Sequence, residues 1–529
     1  MFGLDGDPSL TRRVVRPGTY FGTFPEADDW KPKTTKLDGD GSVLRDCLLS
    51  LTLLTVSCTL VRADEPADSP RRTPLVKVIQ SIEPAVVALF TPMDNQLMSG
   101  SGTIIHEDGY VLTNNHVLPA TEGFALLPNM GPIRFRVVGR VPESDIAIVR
   151  LITIKKPLAV VPLGRSADLM NGETVVVAGN PGGRGTVYTS GIVSSKSVLE
   201  GGPNALVMTN YENSRRDDFI QFDAASNRGN SGGPLVNMDG HVIGIVSAGV
   251  NGEQNVGLAI PIDRVLRQFE QMLEPELFHQ KSTGLKMQPL AAGVVVQSVQ
   301  EGSSAASAGI LVGDVIQSVN GTPVRHVSDW ILSLDELLTA SDPVHLSVQR
   351  GTESLMVELQ TQEMPPLPAV DVPSAEPGLK YSFHHGKFSQ MPDFSTIPAE
   401  RTGVIPSLGG QLKEINQTRE DFFAIRFEGY LKIKADGLYR LIVVSDDGSR
   451  LFLHNKLTID HDGNHPPKPA SRMMRLKSGL HPLTIEYFQG NGDKRLELFI
   501  EECDSRESVS LRPIREVTAE EFLHDATEK

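Results

Sequence analysis

DAASNRGNSGGPLVNMDGHVIGI, residues 223 to 245, sets Ser231 in a glycine-rich turn directly before the apolar run Leu235–Val236. A nucleophilic serine must project into solvent while backbone amides converge on a developing oxyanion, and here those amides are expected at Gly229 and Ser231. Bulky side chains would obstruct such a turn, which explains Gly229, Gly232 and Gly233 around one serine. A glycine-rich turn with a serine is, by itself, most often only a turn. Its meaning depends on what lies upstream.

Two upstream strings supply the other half of a nucleophilic site. LTNNHVL, residues 112 to 118, puts His116 behind the β-branched run Tyr110 to Thr113, and ESDIAIVRL, residues 143 to 151, puts Asp145 at the opening of another run. A base beside the hydroxyl and an acid that orients the base are what acyl transfer by serine needs. Their order along the chain, His, Asp, Ser, is the chymotrypsin order.

Around them, the runs Ala85 to Phe90, Gly102 to Ile105, Tyr110 to Thr113, Val137 to Val141, Ile146 to Leu151, Thr174 to Ala178 and Val242 to Val246 read as short strands between glycine turns. Many short strands in this spacing predict a β-barrel or sandwich. Helices are expected at Leu75 to Ile82 and Asp263 to Met272.

On these residues, the segment from about 74 to 275 resembles the trypsin-like protease domain of the HtrA/Deg family. The matching strings are GSGTII (100–105), DGYVLTNNHV (108–117), SDIAIVRL (144–151), VAGNPGG (177–183), TSGIVSS (189–195), the opening stretch itself and VGLAIPID (256–263). The resemblance implies a chymotrypsin-like double β-barrel and peptide-bond hydrolysis. Ser231 would attack, His116 would take and return the proton, Asp145 would hold the imidazole tautomer, and the Gly229 and Ser231 amides would form the oxyanion hole. It also implies unfolded or damaged proteins as substrates and a homo-oligomer, a trimer by family precedent. Ala225 stands six residues before the nucleophile, where a trypsin-like enzyme has an acid, so small aliphatic side chains are expected at the cleavage site. Two positions depart from the family. Arg228 replaces a usual Pro and Gly182 a usual bulky apolar residue, both in loops that switch the family's oxyanion hole.

Residues 283 to 362 resemble a PDZ domain, through GVVVQSVQEGSSAASAGILVGDVIQSVNGTPV (293–324), a helix near His326 to Thr339 and the strands HLSVQR and LMVEL. PDZ domains add a peptide strand beside a helix and hold its terminal carboxylate in a backbone nest. The resemblance places that nest at Thr283 to Lys286, with Gly284 and Leu285 at its centre, and makes peptide C-termini the expected partner. The Pro-rich segment 363–377 reads as an extended spacer.

Residues 378 to 516 resemble the PA-14 β-sandwich of adhesins, glycosidases and toxins, on GLKYSFHHGKF, the long string 423–463 containing SDDGSRLFLHN, and LKSGLHPLTIEYFQGNG. Asp446 and Asp447 are hard oxygen ligands suited to Ca²⁺, and in sugar-binding relatives such a pair holds calcium that holds glycan. Asp-Gly is equally an ordinary hairpin turn, and Leu453-His454-Asn455 departs from the usual Asp-containing strand. A cell-envelope glycan is therefore an expected partner alongside a structural or protein-binding role. The site chemistry calls for no cofactor beyond this calcium.

The bulk numbers agree with a mainly β, multidomain chain. At about 150 residues per domain, 529 residues suggest three or so. A net charge of -15 and pI near 5.4 exclude a polyanion partner such as nucleic acid, and the basic pair Arg215-Arg216 is followed at once by Asp217-Asp218. Segment 1–63 reads as an N-terminal extension plus signal peptide, with an apolar h-region over 47–61 and small residues up to Ala63. The protein is thus expected to be exported to the periplasm or cell envelope, with secretion or a retained membrane anchor as further readings. Cleavage after Ala63 leaves Cys503 as the single cysteine and no internal disulfide. The competing function is a non-cleaving chaperone or scaffold whose protease loops stay collapsed, motivated by Arg228.

Overall fold

The computed structural model describes residues 69–527, apart from 94–95, 129, 181–183, 200–217, 228, 250–255, 340–342, 409–410, 416–420, 491, 493 and 504–513. The apolar run 47–61, the Arg215-Arg216 pair, Gly182 and Arg228 lie outside the described residues.

The short apolar runs close into two six-stranded antiparallel barrels, the double barrel expected from the sequence. The first runs Val86–Met93, Gln96–His106, Tyr110–Thr113, Ile146–Leu151, Ile133–Val141 and Glu122–Leu126 in spatial order; its interior holds Leu89, Ile104, Tyr110 and Phe135, all fully buried. The second runs Pro234–Asn237, Val242–Gly249, Gly257–Pro261, Asp218–Phe222, Val187–Leu199 and Thr174–Gly179 around Val175, Ile220, Phe222 and Leu235. Closure leaves neither sheet with an open edge, and the two barrels meet where Ser101 N donates to Ser231 O at 2.8 Å.

Ile262–Leu273 is an amphipathic helix whose buried Ile262, Val265, Leu266, Phe269, Met272 and Leu273 follow helical spacing. It packs on the Ile133–Val141 strand so closely that a Cβ at Gly139 would fall 2.3 Å from Met272 O. The helix ends where Glu274 turns into the left-handed region, and Pro275–His279 then leads into the next module. There the strands Leu285–Met287, Val294–Val299, Val315–Val319, Val344–Arg350 and Glu353–Leu359 form one sheet in that order, with the helix Val327–Leu337 beside it. A hydrogen bond of 3.0 Å from the buried Tyr110 hydroxyl to Asp335 ties this helix to the first barrel.

The C-terminal part is a two-sheet sandwich. One sheet contains Ala375–Pro377, Phe522–Asp525, Phe423–Ile433, Gly479–Gln489, Ser449–Leu453 and Lys456–His461, and the other Lys468–Leu476, Gly437–Ser445, Leu496–Glu502 and Arg515–Glu516. Strand pairing therefore continues past Glu516, with Phe522 buried in the core. The hairpin reading of Asp446 to Gly448 is corrected: Gly437–Ser445 and Ser449–Leu453 lie in different sheets, each already paired on both sides by other strands. The chain crosses from sheet to sheet there, and the buried hydroxyls of Ser445 and Ser449 meet at 2.9 Å. Nor does the Pro-rich segment run free: Leu367 bridges to Leu476 and Val370 to Leu480, so it lies along the sandwich.

Candidate active site

The loops of the two barrels bring the three sequence-predicted groups to one face. His116 sits in a 3-10 turn, Asn115–Val117, after the Tyr110–Thr113 strand, and Asp145 follows the 3-10 turn Pro142–Ser144. Asp145 takes a left-handed backbone (φ 54°), a conformation that a non-glycine residue keeps only where its surroundings over-determine it. They do. Its carbonyl accepts from Asn115 N at 3.2 Å and Asn114 Nδ2 at 3.0 Å, and its carboxylate accepts from His116 N at 2.9 Å. The second carboxylate oxygen lies 2.7 Å from His116 Nδ1. A ring proton on Nδ1 would be donated to this oxygen, which would leave Nε2 as the accepting nitrogen. The His116 side chain is 45% exposed and that of Asp145 31%, so the pair opens to solvent.

Ser247 joins them, a residue the sequence reading passed over because a lone serine in IVSAG carries no local signal. Its hydroxyl donates to Asp145 Oδ2 at 3.2 Å, and its carbonyl accepts the Ser231 hydroxyl at 2.7 Å. Among the described residues no hydrogen bond joins Ser231 to His116, so the hydroxyl rests on the Ser247 carbonyl in this structure.

The turn that carries Ser231 is locked from the first barrel. Ser101 Oγ donates to Gly229 O at 2.6 Å and accepts from Asn180 N at 2.8 Å, while Thr113 Oγ1 donates to Ser101 O at 2.7 Å. Gly232 is required: its φ is +85°, and a Cβ there would lie 2.1 Å from Ser101 O and 2.2 Å from Thr113 Oγ1. Gly229 is also left-handed (φ 101°), and neither its amide nor that of Ser231 meets a protein acceptor among the described residues. Ala225 is exposed, with its carbonyl accepting from Thr189 Oγ1 at 2.8 Å.

Comparison with known proteins puts names to these parts. Residues 100–245 match the trypsin-like peptidase domain family, residues 282–361 the PDZ domain family and residues 375–509 the PA14 domain family. The chain carries a trypsin-like peptidase domain, a PDZ domain and a PA14 domain. It is similar to mouse serine protease HTRA4, 35% identical over 54% of this chain and 62% of that protein. It is also similar to the periplasmic serine endoprotease DegP of Salmonella typhimurium, 37% identical over 50% of this chain and 57% of the relative. The structure of the HtrA-type protease AlgW with tripeptide shares 30% identity over 55% of this chain and 98% of its own, with a TM-score of 0.33. The chain thus spans less than two thirds of the length of these two curated relatives.

In the PDZ domain, the expected carboxylate nest is internally occupied. Gly284 N donates to Ser282 Oγ at 3.0 Å and Leu285 N to Thr283 Oγ1 at 3.3 Å, and Gly284 (φ +76°) packs on Ser303. In the PA14 domain, Asp446 and Asp447 are both buried. Burial pushes the Asp447 carboxyl up, while Gly490 N at 2.6 Å and His465 N at 3.3 Å stabilise its charged form. Among the described residues the buried Asn464 Oδ1 has no hydrogen-bond partner, and a Cβ on Gly490 would sit 3.7 Å from it and 3.1 Å from Asp447 Oδ2. An unsatisfied oxygen near the buried Asp447 carboxylate fits a hard cation. Among the described residues no set of three His, Cys, Asp or Glu groups gathers for a metal, so a calcium ion here would draw on Asn464 as well as Asp446 and Asp447.

Proposed function

We propose that this protein is an exported serine endopeptidase, acting on unfolded or damaged envelope proteins. The observation that carries the reading is the 2.7 Å contact between His116 Nδ1 and Asp145 Oδ2 on the same face as Ser231. In the proposed reaction the Ser231 hydroxyl rotates from the Ser247 carbonyl to His116 Nε2, which takes its proton as the oxygen attacks the peptide carbonyl. The Gly229 and Ser231 amides stabilise the resulting oxyanion, and protonated His116 returns the proton to the leaving amine. The Asp145 carboxylate steadies the imidazolium. The PDZ domain delivers peptide C-termini, and assembly as a homo-oligomer, a trimer by resemblance, follows the same analogy. Export rests on the apolar run 47–61 and on the periplasmic naming of the relative.

Casein cleavage by the chain beside Ser231→Ala tests this. Turnover should fall on the order of a millionfold in the variant; equal residual cleavage in both proteins sinks it. The resting bond from Ser231 to Ser247 favours a second reading, a non-cleaving chaperone or scaffold. Absence of covalent labelling by a fluorophosphonate, together with no cleavage in the presence of hydrophobic C-terminal peptides, selects it.

For the PA14 domain we propose a tether to envelope glycan through calcium at Asp446 and Asp447, supported by the unpartnered Asn464 Oδ1. Glycan-array binding that disappears with chelator is the expected result, and uniform silence rejects it.

A further inference from the structure

A cavity of about 290 Å³ lies between the Leu285–Met287 strand and the Val327–Leu337 helix of the PDZ domain. Leu285–Met287 is the edge strand of its sheet, so the cavity occupies the place where a peptide strand would add. Its walls come from three domains. Met287, Trp330 and Leu334 belong to the PDZ domain, Glu270 and Glu274 to the helix that closes the protease domain, and Lys456, Arg472 and Met473 to the PA14 domain.

The backbone amides that a PDZ domain would offer to a carboxylate are turned inward here, Gly284 N to Ser282 Oγ and Leu285 N to Thr283 Oγ1. Positive charge in the cavity is instead on side chains. Lys286 is paired with Glu270, and Arg472 is held by Glu274 at 3.5 Å. Glu276 is engaged by Thr283 N and Oγ1, both at 2.8 Å. Lys456 is exposed at the rim and forms no ion pair among the described residues. Glu274 Oε1, the oxygen that faces Arg472 at 3.5 Å, is buried and makes no hydrogen bond among the described residues. A ligand that suits this lining brings a carboxylate for the cations, an N–H for Glu274 and an apolar group for Met287, Trp330 and Met473. A peptide C-terminus has all three.

We propose that the PA14 domain completes the peptide site of the PDZ domain, Lys456 and Arg472 receiving the terminal carboxylate and Met473 closing over the last apolar side chain. The inference rests on reading residues 282–361 as a peptide-binding module. On Arg472 the ligand carboxylate takes the place of Glu274, and Glu274 Oε1 accepts a peptide N–H. The specificity of the groove is therefore set partly by a domain that follows it in the chain.

Fluorescence polarisation on the full chain tests this, using labelled decapeptides of scrambled sequence that end in a free valine, with C-terminally amidated twins. The free-acid peptides should bind. Amidation, Lys456→Ala and Arg472→Ala should each weaken binding about tenfold, as loss of a charge-assisted hydrogen bond does. Lys456→Glu, at an exposed site where folding is not at stake, should weaken it further. Affinity that is unchanged or tighter in the Lys456 variants overturns the proposal. If Trp330→Ala then abolishes binding, the PDZ groove reads peptides without the PA14 domain. No binding of any peptide by the wild-type chain overturns both the peptide-binding reading and this inference.

Discussion

Ser471 of the PA14 domain hydrogen-bonds to the carboxylate of Glu143, through its amide at 3.2 Å and its hydroxyl at 3.1 and 3.2 Å. Glu143 stands two residues before Asp145, in the turn that sets the left-handed backbone of that acid. Burial pushes the Glu143 carboxyl up, and the Ser471 bonds work against that shift by stabilising its charge. The same turn is held from the Ile262–Leu273 helix, where Gln268 Nε2 donates to Ser144 Oγ at 2.8 Å. Ser471→Ala keeps the amide bond and removes the hydroxyl, so it should lower stability by about 1–2 kcal/mol. Thermal unfolding of the variant checks this, and an unchanged midpoint would detach the PA14 domain from the Asp145 turn.

Ser247 touches both ends of the proposed catalytic set. Ser247→Ala removes its donor to Asp145 Oδ2 and leaves the carbonyl that holds the Ser231 hydroxyl. One lost hydrogen bond to a charged group is worth about 1.5 kcal/mol, so kcat/KM on casein should fall roughly tenfold, far short of the loss in Ser231→Ala. A decrease as deep as that of Ser231→Ala would make Ser247 more than a positioning residue.

Gly232 and Gly240 are both left-handed, at φ +85° and +80°, but differ in what a side chain would meet. At Gly232 the nearest atom is a backbone oxygen at 2.1 Å, whereas at Gly240 only Ser81 Oγ lies near, at 3.4 Å. Gly232→Ala should therefore cost more than about 3 kcal/mol and disturb the turn that carries Ser231. Gly240→Ala should cost about 1–2 kcal/mol, the backbone strain alone. Denaturant titration of the two variants separates the effects, and equal losses would contradict the packing.

Glu274 gives stability a pH dependence. Burial pushes its carboxyl from 4.5 up to about 7, and Arg472 opposes the shift only in part. Between those values the folded protein keeps a proton that the unfolded chain has released. The contribution of this group is thus fully present below about pH 4.5 and is lost as pH rises through about 7. Glu274→Gln should raise the unfolding midpoint relative to wild type at pH 8, by at most about 3 kcal/mol in free energy, and the gap should close at pH 5. A gap independent of pH would assign the effect to packing.

The parts of this protein that were legible in its sequence are those written in short, contiguous patterns. Glycines flank Ser231 because the turn excludes side chains, and strands such as Tyr110–Thr113 and Thr174–Gly179 read as short, nearly continuous apolar runs because both of their faces are buried. The Ile262–Leu273 helix was visible to within one residue at each end, since its apolar spacing is local. Asp446 and Asp447 show where such reading stops. Asp-Gly marks a tight turn, but whether the turn joins paired strands or carries the chain between two sheets depends on which distant strands pair with its neighbours.

The order of the three domains and the mainly β architecture were thus determined by the sequence alone, because each rests on backbone preference and hydrophobic pattern within a few residues, and short strings marked His116, Asp145 and Ser231 as candidates. Tertiary structure alone decided that Ser247 links Asp145 to Ser231, that the Gly284 and Leu285 amides bond inward, and that Arg472 and Lys456 border the PDZ groove. Such contacts join residues as far apart in the chain as Glu143 and Ser471, 328 positions. They arise from complementary shape and charge between surfaces that have already folded, for which no local pattern is needed and none is left in the sequence.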